Sequence, residues 1–325
     1  MTTAATRLAL TALLLAPVGV RVARAQSPQG LSLRMDNDAF DFWMQPYNRP
    51  DEEYTSGVHI TYDGALSPWW WWSFHDHGAR CVYHIQDYHS SRAEVGQDMY
   101  TSSARVDDPR PTPGSRASGG WLYFAHSARS LHASRSDELT ITLGVTGPPS
   151  LARFTQSVAH SVAPQFNRPA DWTRQIRFEP GAIVDYEQRR RIMAYGRGAF
   201  GFDVLPSVSV DVGNVKTSAD AGVQSRVGWN LPHPWLPESV PASVAVVGGV
   251  SARAVVRDIF LDGNTFHPDY RVGHEVLVGS GQIGVELRFR ALSLAYRAVN
   301  ETRSYAGGPP WHPWASMVGG VTFDR

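Results

Sequence analysis

The sequence predicts an exported all-β protein whose strands form a transmembrane antiparallel β-barrel with one short loop helix. Many segments alternate apolar and polar residues, the N-terminus has the pattern of a secretory signal, and the chain contains 11 Trp and 12 Tyr. Period-two alternation is typical of strands with one buried face. It does not separate a soluble sandwich, whose apolar face packs a core, from a membrane barrel, whose apolar face contacts lipid. The export signal and the aromatic residues, which collect at membrane interfaces, favour the barrel.

The N-terminal segment predicts a signal peptide. Arg7 supplies a short positive region, a mostly apolar run spans residues 8–18, and Ala23–Ala25 is a small-x-small cleavage site. We therefore expect a signal peptide at residues 1–25 and one barrel domain at residues 26–325. An uncleaved membrane anchor is the alternative, but the apolar run is too short to span a bilayer. No later run reaches the roughly 18 apolar residues of a transmembrane helix.

The composition excludes several kinds of site. The chain has 30 basic and 30 acidic residues, so its charge indicates no nucleic-acid partner. Cys81 is the only cysteine, which excludes an internal disulfide and a cysteine-rich metal site. Lys216 is the only lysine, so arginine supplies nearly all the positive charge.

Five segments show the alternation most clearly. They are Val58–Tyr62, Leu139–Leu143, Val208–Val212, Ile283–Phe289 and Leu292–Arg297. Long irregular loops are expected at residues 107–120 and 231–242, which are rich in Gly, Pro, Ser and Asp. No internal repeat or linker divides the chain, so one barrel should account for all the strands.

Residues 151–163 break the strand pattern and predict a short helix, with Ser150 as its N-cap and Pro164 as its end. Apolar side chains recur at spacings of three and four, and form a stripe of Leu151, Phe154, Val158 and Val162. Gln156 and His160 lie four residues apart on another face. This helix either plugs a barrel mouth or holds Gln156 and His160 over a reacting bond.

Two groups of residues could carry chemistry. Asp36–Asp38 and Glu52–Gly57 place oxygen-rich side chains at facing strand ends, where they either bind a hard cation such as calcium or form ordinary turns. His160 is either a general base or a surface histidine on a loop helix. His75–His77 fit no standard zinc spacing and are interpreted as an exposed loop. No Gly-x-Ser-x-Gly elbow is present, so an ordinary serine hydrolase has no support.

Taken together and in order, eight segments resemble the outer-membrane lipid A 3'-O-deacylase family, and the resemblance covers nearly the whole chain after the signal. The segments are Asn37-Asp38, Tyr54–Gly57, Gln97–Thr101, Arg116–Trp121, Gly147-Pro148 followed by Gln156 and His160, Trp172 with Gln175 and Glu179, Gly213–Thr217, and Phe260–Phe266. Each segment alone is only moderately specific, whereas their shared order is hard to obtain by chance.

The resemblance implies a barrel of about twelve strands in the bacterial outer membrane, with a site near its outer rim that acts on lipid A of lipopolysaccharide. It also implies hydrolysis of an ester-linked acyl chain that depends on Ca²⁺. His160 would activate a water, and Asp38 with Thr55 would hold calcium, which would polarise the ester carbonyl. Asn37 and Gln156 would orient groups or donate hydrogen bonds.

The chain departs from the family pattern at the site. The family uses a lysine there, and Lys216 lies in a different motif, so Arg116 is the candidate replacement for binding substrate. Glu179 is the candidate for a further acidic calcium ligand, although a structural role fits it equally well. Two other hypotheses stay open: a non-catalytic barrel, which the missing lysine favours, and a membrane phospholipase that uses Ser157 or Ser161 beside His160.

Overall fold

The computed structural model describes residues 29–40, 52–64, 88–110, 113–162, 170–236, 238, 240–267 and 270–323. The predicted signal peptide and the loop at His75–His77 lie outside the described residues. Within these ranges the chain forms one sheet of thirteen strands. The strands are β1 (Gln29–Asn37), β2 (Glu53–Gly64), β3 (Tyr88–Thr101), β4 (Gly119–Leu131), β5 (Arg135–Thr146), β6 (Pro180–Arg190), β7 (Met193–Arg197), β8 (Phe200–Gly213), β9 (Lys216–Trp229), β10 (Ala242–Asp258), β11 (Leu277–Phe289), β12 (Leu292–Thr302) and β13 (Trp311–Phe323).

The sheet closes into a barrel whose wall has twelve strand positions. Every pairing is antiparallel, β1 pairs with β13, and β6 pairs with β8 to complete the ring. Strand β7 continues β6 along the same neighbour: Arg189 pairs with Ser207, and Met193 pairs with Val204 after a shift of one residue. The two segments therefore act as one irregular wall strand. The predicted fold class and the expected number of about twelve strands are confirmed.

The two faces of the wall have opposite chemistry. The five alternating segments lie in β2, β5, β8, β11 and β12, as predicted. Large apolar side chains are exposed on the outer face, among them Leu33, Ile60, Val95, Leu143 and Val210. Charged side chains line an inner cavity of about 760 Å³, among them Arg34, Glu94, Asp185, Arg253 and Glu286. An apolar exterior around a polar interior is the arrangement of a membrane barrel, and it excludes the soluble sandwich.

The two ends of the barrel differ in their connections. Long segments at residues 102–118, 147–179 and 259–276 follow β3, β5 and β10 at one end, which we call the loop-bearing end. At the other end, residues 132–134 and 290–291 form short turns, and residues 230–241 form a longer loop. In outer-membrane barrels the longer loops face the cell exterior, so the loop-bearing end is assigned to that side.

The two α-helices are α1 (Ala152–Val162) and α2 (Ile259–Asp262), and both lie at the loop-bearing end. Helix α1 confirms the predicted loop helix, but Ser150 is not its N-cap. A 3₁₀ turn at Pro148–Ser150 comes first, the Ser150 hydroxyl donates to the carbonyl of Gly147 (2.6 Å), and Leu151 is left-handed (φ 60°) before the helix begins. Across the described residues, no helix combines the length and the apolar character that a membrane crossing would require.

Candidate active site on the outer face of the barrel

The predicted Asn-Asp segment ends β1 on the outer side of the wall. Arg34 lines the inner cavity, so by alternation Asn37 points outward. Asn37 pairs with Ser56 of β2, and Ser56 pairs with Met99 of β3. Met99 alternates with Asp98, another cavity-lining residue, and also points outward. Asn37, Ser56 and Met99 therefore lie side by side on the outer face of three adjacent strands. The first and third of these strands, β1 and β3, are about 10 Å apart.

A β-bulge places Thr55 in this row. Tyr54 pairs with Tyr100 and Ser56 pairs with Met99, so Thr55 is the extra residue of β2. Its hydroxyl lies 2.5 Å from that of Thr101, which alternates with the inner Tyr100. Bulges re-aim side chains near functional sites. Both hydroxyls are buried, with Thr55 2% and Thr101 0% exposed.

Asp38 opens a 3₁₀ turn directly after β1. The Oδ1 atom of Asn37 accepts a hydrogen bond from the backbone N–H of Ala39 (2.8 Å), which holds the turn. The Asp38 side chain is 1% exposed, and its Oδ2 atom accepts from the backbone N–H of Glu52 (3.3 Å). A buried carboxylate thus lies where β1 and β2 meet at the loop-bearing end.

Helix α1 docks on the outer face of β3 and β4, beside this row. Met99 forms a buried apolar cluster with Ala152 and Trp172. The Nε2 atom of Gln97 donates to the carbonyl of Ser150 (2.6 Å), which ties the start of the helix to β3. Gly120 of β4 allows the close approach, because a Cβ atom there would collide with Ser150 and Ala152.

The structure brings Gln156 and His160 to the side of the helix that approaches the wall. Gln156 is 4% exposed, and its Oε1 atom accepts from the indole N–H of Trp172 (2.7 Å). His160 is half-buried one turn further along. Ala159 lies on nearly the same side of the helix as buried Ala152, yet it is exposed. The last turn of α1 is therefore more exposed on this side than the first turn.

The hydroxyls of the two helix serines are engaged by their own helix. Ser157 donates to the carbonyl of Arg153 (2.8 Å), and Ser161 donates to that of Val158 (2.7 Å). Both side chains are exposed on the flank that faces away from the wall. A serine nucleophile needs its hydroxyl hydrogen-bonded to the base, so this geometry disfavours the serine phospholipase hypothesis.

Arg116, the predicted replacement for the family lysine, contacts groups on the inner side of the wall. Its guanidinium is 3.6 Å from the Glu53 carboxylate and lies 4.5 Å over the ring of Tyr100, which faces the inner cavity. It also donates to the carbonyl of Phe260 (3.4 Å). With only 4% of Arg116 exposed, these contacts fix loops together and leave the guanidinium out of reach of the outer face.

Glu179 has a structural set of partners. Its carboxylate accepts hydrogen bonds from the side chains of Asn214 (2.9 Å) and Asn264 (3.1 Å) and from the backbone N–H of Thr265 (2.7 Å). Burial acts to raise the pKa of Glu179, but these donors outweigh it and lower the pKa below the usual range. Since its oxygens are used to join three loops, we do not include it in the calcium site. Among the described residues, no cluster of three or more His, Cys, Asp or Glu side chains is arranged to hold a metal.

A second network, which the sequence did not indicate, lies directly behind the site on the inner face. His59 is 1% exposed and contacts Tyr123 Oη through Nδ1 (2.8 Å), and Tyr123 donates to Glu94 (2.8 Å). Tyr54 donates to Asp36 (2.9 Å), the neighbour of the Asn-Asp segment. These bonds join β1, β2, β3 and β4 from inside, so the strands that carry the site are held rigid.

The chain matches a known family of outer-membrane proteins. A family model described as outer membrane protein LpxR matches residues 8–323. The chain belongs to this LpxR family. It is therefore a protein of the bacterial outer membrane, which confirms the expected location and the family resemblance. A comparison with curated proteins finds no match.

Solved structures agree on the fold. LpxR from Salmonella typhimurium is 19% identical, with a TM-score of 0.72 over 90% of this chain and 100% of that chain. At this identity the likeness shows the barrel fold alone. The β domain of the Bordetella autotransporter BrkA is also similar, with 10% identity and a TM-score of 0.43 over 93% of this chain and 100% of that chain. That score is too low to support an argument about function.

Proposed function

We propose that this LpxR-family chain is a lipid A deacylase that hydrolyses an ester-linked acyl chain in a calcium-dependent reaction. One observation supports the proposal above the others. Helix α1, which carries Gln156 and His160, packs on Met99, and Met99 lies beside Ser56 and Asn37 in the row of outward residues. The groups face the membrane and not the barrel interior, and lipid A is a component of that membrane.

His160 is suited to be the general base. An imidazole accepts a proton near neutral pH. As a water attacks the ester carbonyl carbon, the ring takes its proton, and the same proton then passes to the alkoxide that leaves when the ester C–O bond breaks.

The oxygen atoms at the ends of β1 and β2 fit a hard cation. Asp38 offers a buried carboxylate and Thr55 a buried hydroxyl, and both are ligand types that Ca²⁺ prefers. Backbone carbonyls and waters would complete the shell, since Ca²⁺ takes about six to eight oxygens. When bound, calcium would polarise the ester carbonyl and stabilise the oxyanion.

Asn37 and Gln156 are assigned to orientation. Asn37 stands at the last position of β1, where its hydrogen bond to Ala39 fixes the amide. The hydrogen bond from Trp172 fixes the amide of Gln156 in the same way, so Trp172 is a positioning residue. Fixed amides lower the reorganisation needed when charge develops on the substrate.

Mass spectrometry of lipid A tests the proposal directly. Cells that express the chain with calcium present should yield lipid A that lacks one acyl chain, and a chelator should prevent the loss. His160→Ala should abolish the change, whereas Ser161→Ala, on the adjacent position of the helix, should leave it intact. If Ser157→Ala or Ser161→Ala abolished the reaction, a serine mechanism would replace this one.

The non-catalytic barrel is kept as the second candidate, because Arg116 does not supply the missing cation on the outer face. Unchanged lipid A in cells whose membranes hold the folded barrel and ample calcium would favour it. Calcium binding that disappears in Asp38→Ala would argue against it.

A further inference from the structure

The surface of helix α1 is divided into three parts. With successive residues about 100° apart, Ala152 and Gln156 share one face. Phe154 and Val158 share a flank on one side of that face, which we call the apolar flank, and Leu151 directly precedes the helix. The side chains of Arg153 and Ser157 share the other side, which we call the polar flank.

Only the first of these parts packs on the protein. Ala152 and Gln156 are 1% and 4% exposed. On the apolar flank, Phe154 is 66% and Val158 45% exposed, and Leu151 just before the helix is 53% exposed. A helix docked on a soluble protein would bury that stripe against the core. Here the stripe is left uncovered while a polar glutamine is buried, so something outside the described chain must cover it.

The surroundings of the helix indicate what covers it. The helix lies on the outer face of β3 and β4, the face that lipid contacts in a membrane barrel. Nearer the middle of the same wall, Ile60 is 52%, Val95 51% and Leu143 45% exposed on that face. These exposures match those on the apolar flank, so the flank continues the lipid-facing belt of β2, β3 and β5.

We infer that α1 is an interfacial helix whose apolar flank inserts among the acyl chains of the outer leaflet, with the polar flank at the head groups. Amphipathic helices that lie in the plane of a membrane have this division between an apolar and a charged or polar side. Lipid covers the apolar flank, and the barrel wall contacts the remaining face of the helix.

This inference also provides a route by which substrate reaches the site. That consequence rests on the proposed function. Phe154 and His160 belong to one rigid helix, so insertion of the flank would fix the height of the imidazole relative to the acyl chains. The substrate would be a lipid whose ester lies just below the head groups, and it would reach His160 by lateral diffusion within the leaflet.

Spin labels test the insertion without any need for activity. In a Cys81→Ser background, single cysteines are placed at 154 and 158 on the apolar flank, at 153 and 157 on the polar flank, and at 95 as a lipid-facing reference. The labelled proteins are reconstituted in phosphatidylethanolamine–phosphatidylglycerol vesicles, and folding is checked by heat-modifiable migration in gels. Collision rates with oxygen, which concentrates in lipid, and with a water-soluble nickel chelate are measured at each site.

The expected oxygen-to-nickel ratio at 154 and 158 lies within about twofold of that at 95, and at least about fivefold above that at 153 and 157. Equal, nickel-rich ratios on both flanks would place the helix in water and overturn the inference. Labels at 154 and 158 that collide with neither reagent and couple to each other across molecules would identify a second copy as the occupant, which also overturns it. A positive result in a protein that leaves lipid A unchanged would separate this inference from the proposed function.

Discussion

The indole N–H of Trp172 donates to Oε1 of Gln156 across 2.7 Å, and this bond connects the segment before β6 to helix α1. Trp172→Phe keeps most of the packing in the cluster with Met99 and Ala152 but leaves a buried acceptor without its donor. A lost bond of this kind costs about 1–3 kcal/mol. We expect deacylation of lipid A to slow about tenfold, which corresponds to about 1.4 kcal/mol.

Trp235 offers a matched control, because its indole N–H also donates to an oxygen, the carbonyl of His132 (2.5 Å). This pair lies at the end of the barrel with short turns. Trp235→Phe should leave deacylation unchanged. Equal losses in the two variants would mean that the effect reports general destabilisation of the barrel.

Thr55→Val should raise the calcium concentration needed for half-maximal activity, by about tenfold. The substitution removes a proposed ligand with little change in shape. Thr101→Val breaks the same 2.5 Å hydroxyl pair from the other side and should change the calcium requirement less. Calcium titrations of lipid A deacylation in vesicles measure both. A larger shift in Thr101→Val would move the proposed ligand from Thr55 to Thr101.

Asp38→Asn should abolish the calcium response. The amide keeps the size of the side chain and its ability to accept from the backbone of Glu52, but it removes the charge that favours a divalent cation. Deacylation is measured after chelation and again after calcium is restored. Asp108→Asn, on an exposed carboxylate of the same end, should recover fully. Full recovery in Asp38→Asn would exclude Asp38 as a required ligand.

Arg116→Ala should reduce stability and leave the affinity for lipid A unchanged. The guanidinium neutralises the buried Glu53 carboxylate, and removing one partner of such a pair costs about 3–5 kcal/mol. The temperature at which the folded band disappears in gels should fall, and Glu53→Gln in the same chain should restore part of the loss. A raised KM in a barrel of normal stability would instead return Arg116 to the substrate site.

Glu179→Gln should destabilise the loops in a pH-dependent way. The donors from Asn214, Asn264 and Thr265 lower the pKa of Glu179 in the folded state. The stability that they contribute is therefore fully present above the ordinary glutamate pKa of about 4.3, and it is lost as pH falls through the lowered value. The gap in unfolding temperature between wild type and variant should stay constant from neutral pH to about pH 5 and close below it. A gap that widens in acid would contradict this assignment.

The wall of the barrel could be predicted from the sequence because alternation is a local property. The segments Val58–Tyr62 and Ile283–Phe289 each show it within a few residues, and both lie in wall strands. Helix α1 was predicted for a similar reason, from the spacing of Leu151, Phe154 and Val158. Its N-cap was misplaced because the 3₁₀ turn at Pro148–Ser150 depends on contacts with β3 and β4, which no local pattern encodes.

The positions of site residues around the wall were less predictable. The motifs identified Asn37, Thr55 and Gln156, but they did not show that the row faces outward, since that depends on the register of β1 with β2 and on a bulge at one residue. The partners of Arg116 and Glu179 were unpredictable for the same reason. Both belong to segments that carry the family resemblance, and only the folded loops show that their partners are Glu53 and Asn214.

Gly120 contributes no functional group, yet α1 rests on the space it leaves in β4. Any larger residue there would displace the helix from β4. The barrel would still assemble and enter the outer membrane, because the strand pairing would be intact. A relative that keeps every residue with a chemical role could therefore lose activity through one added methyl group at this position. A comparison of reactive side chains alone would not detect that loss.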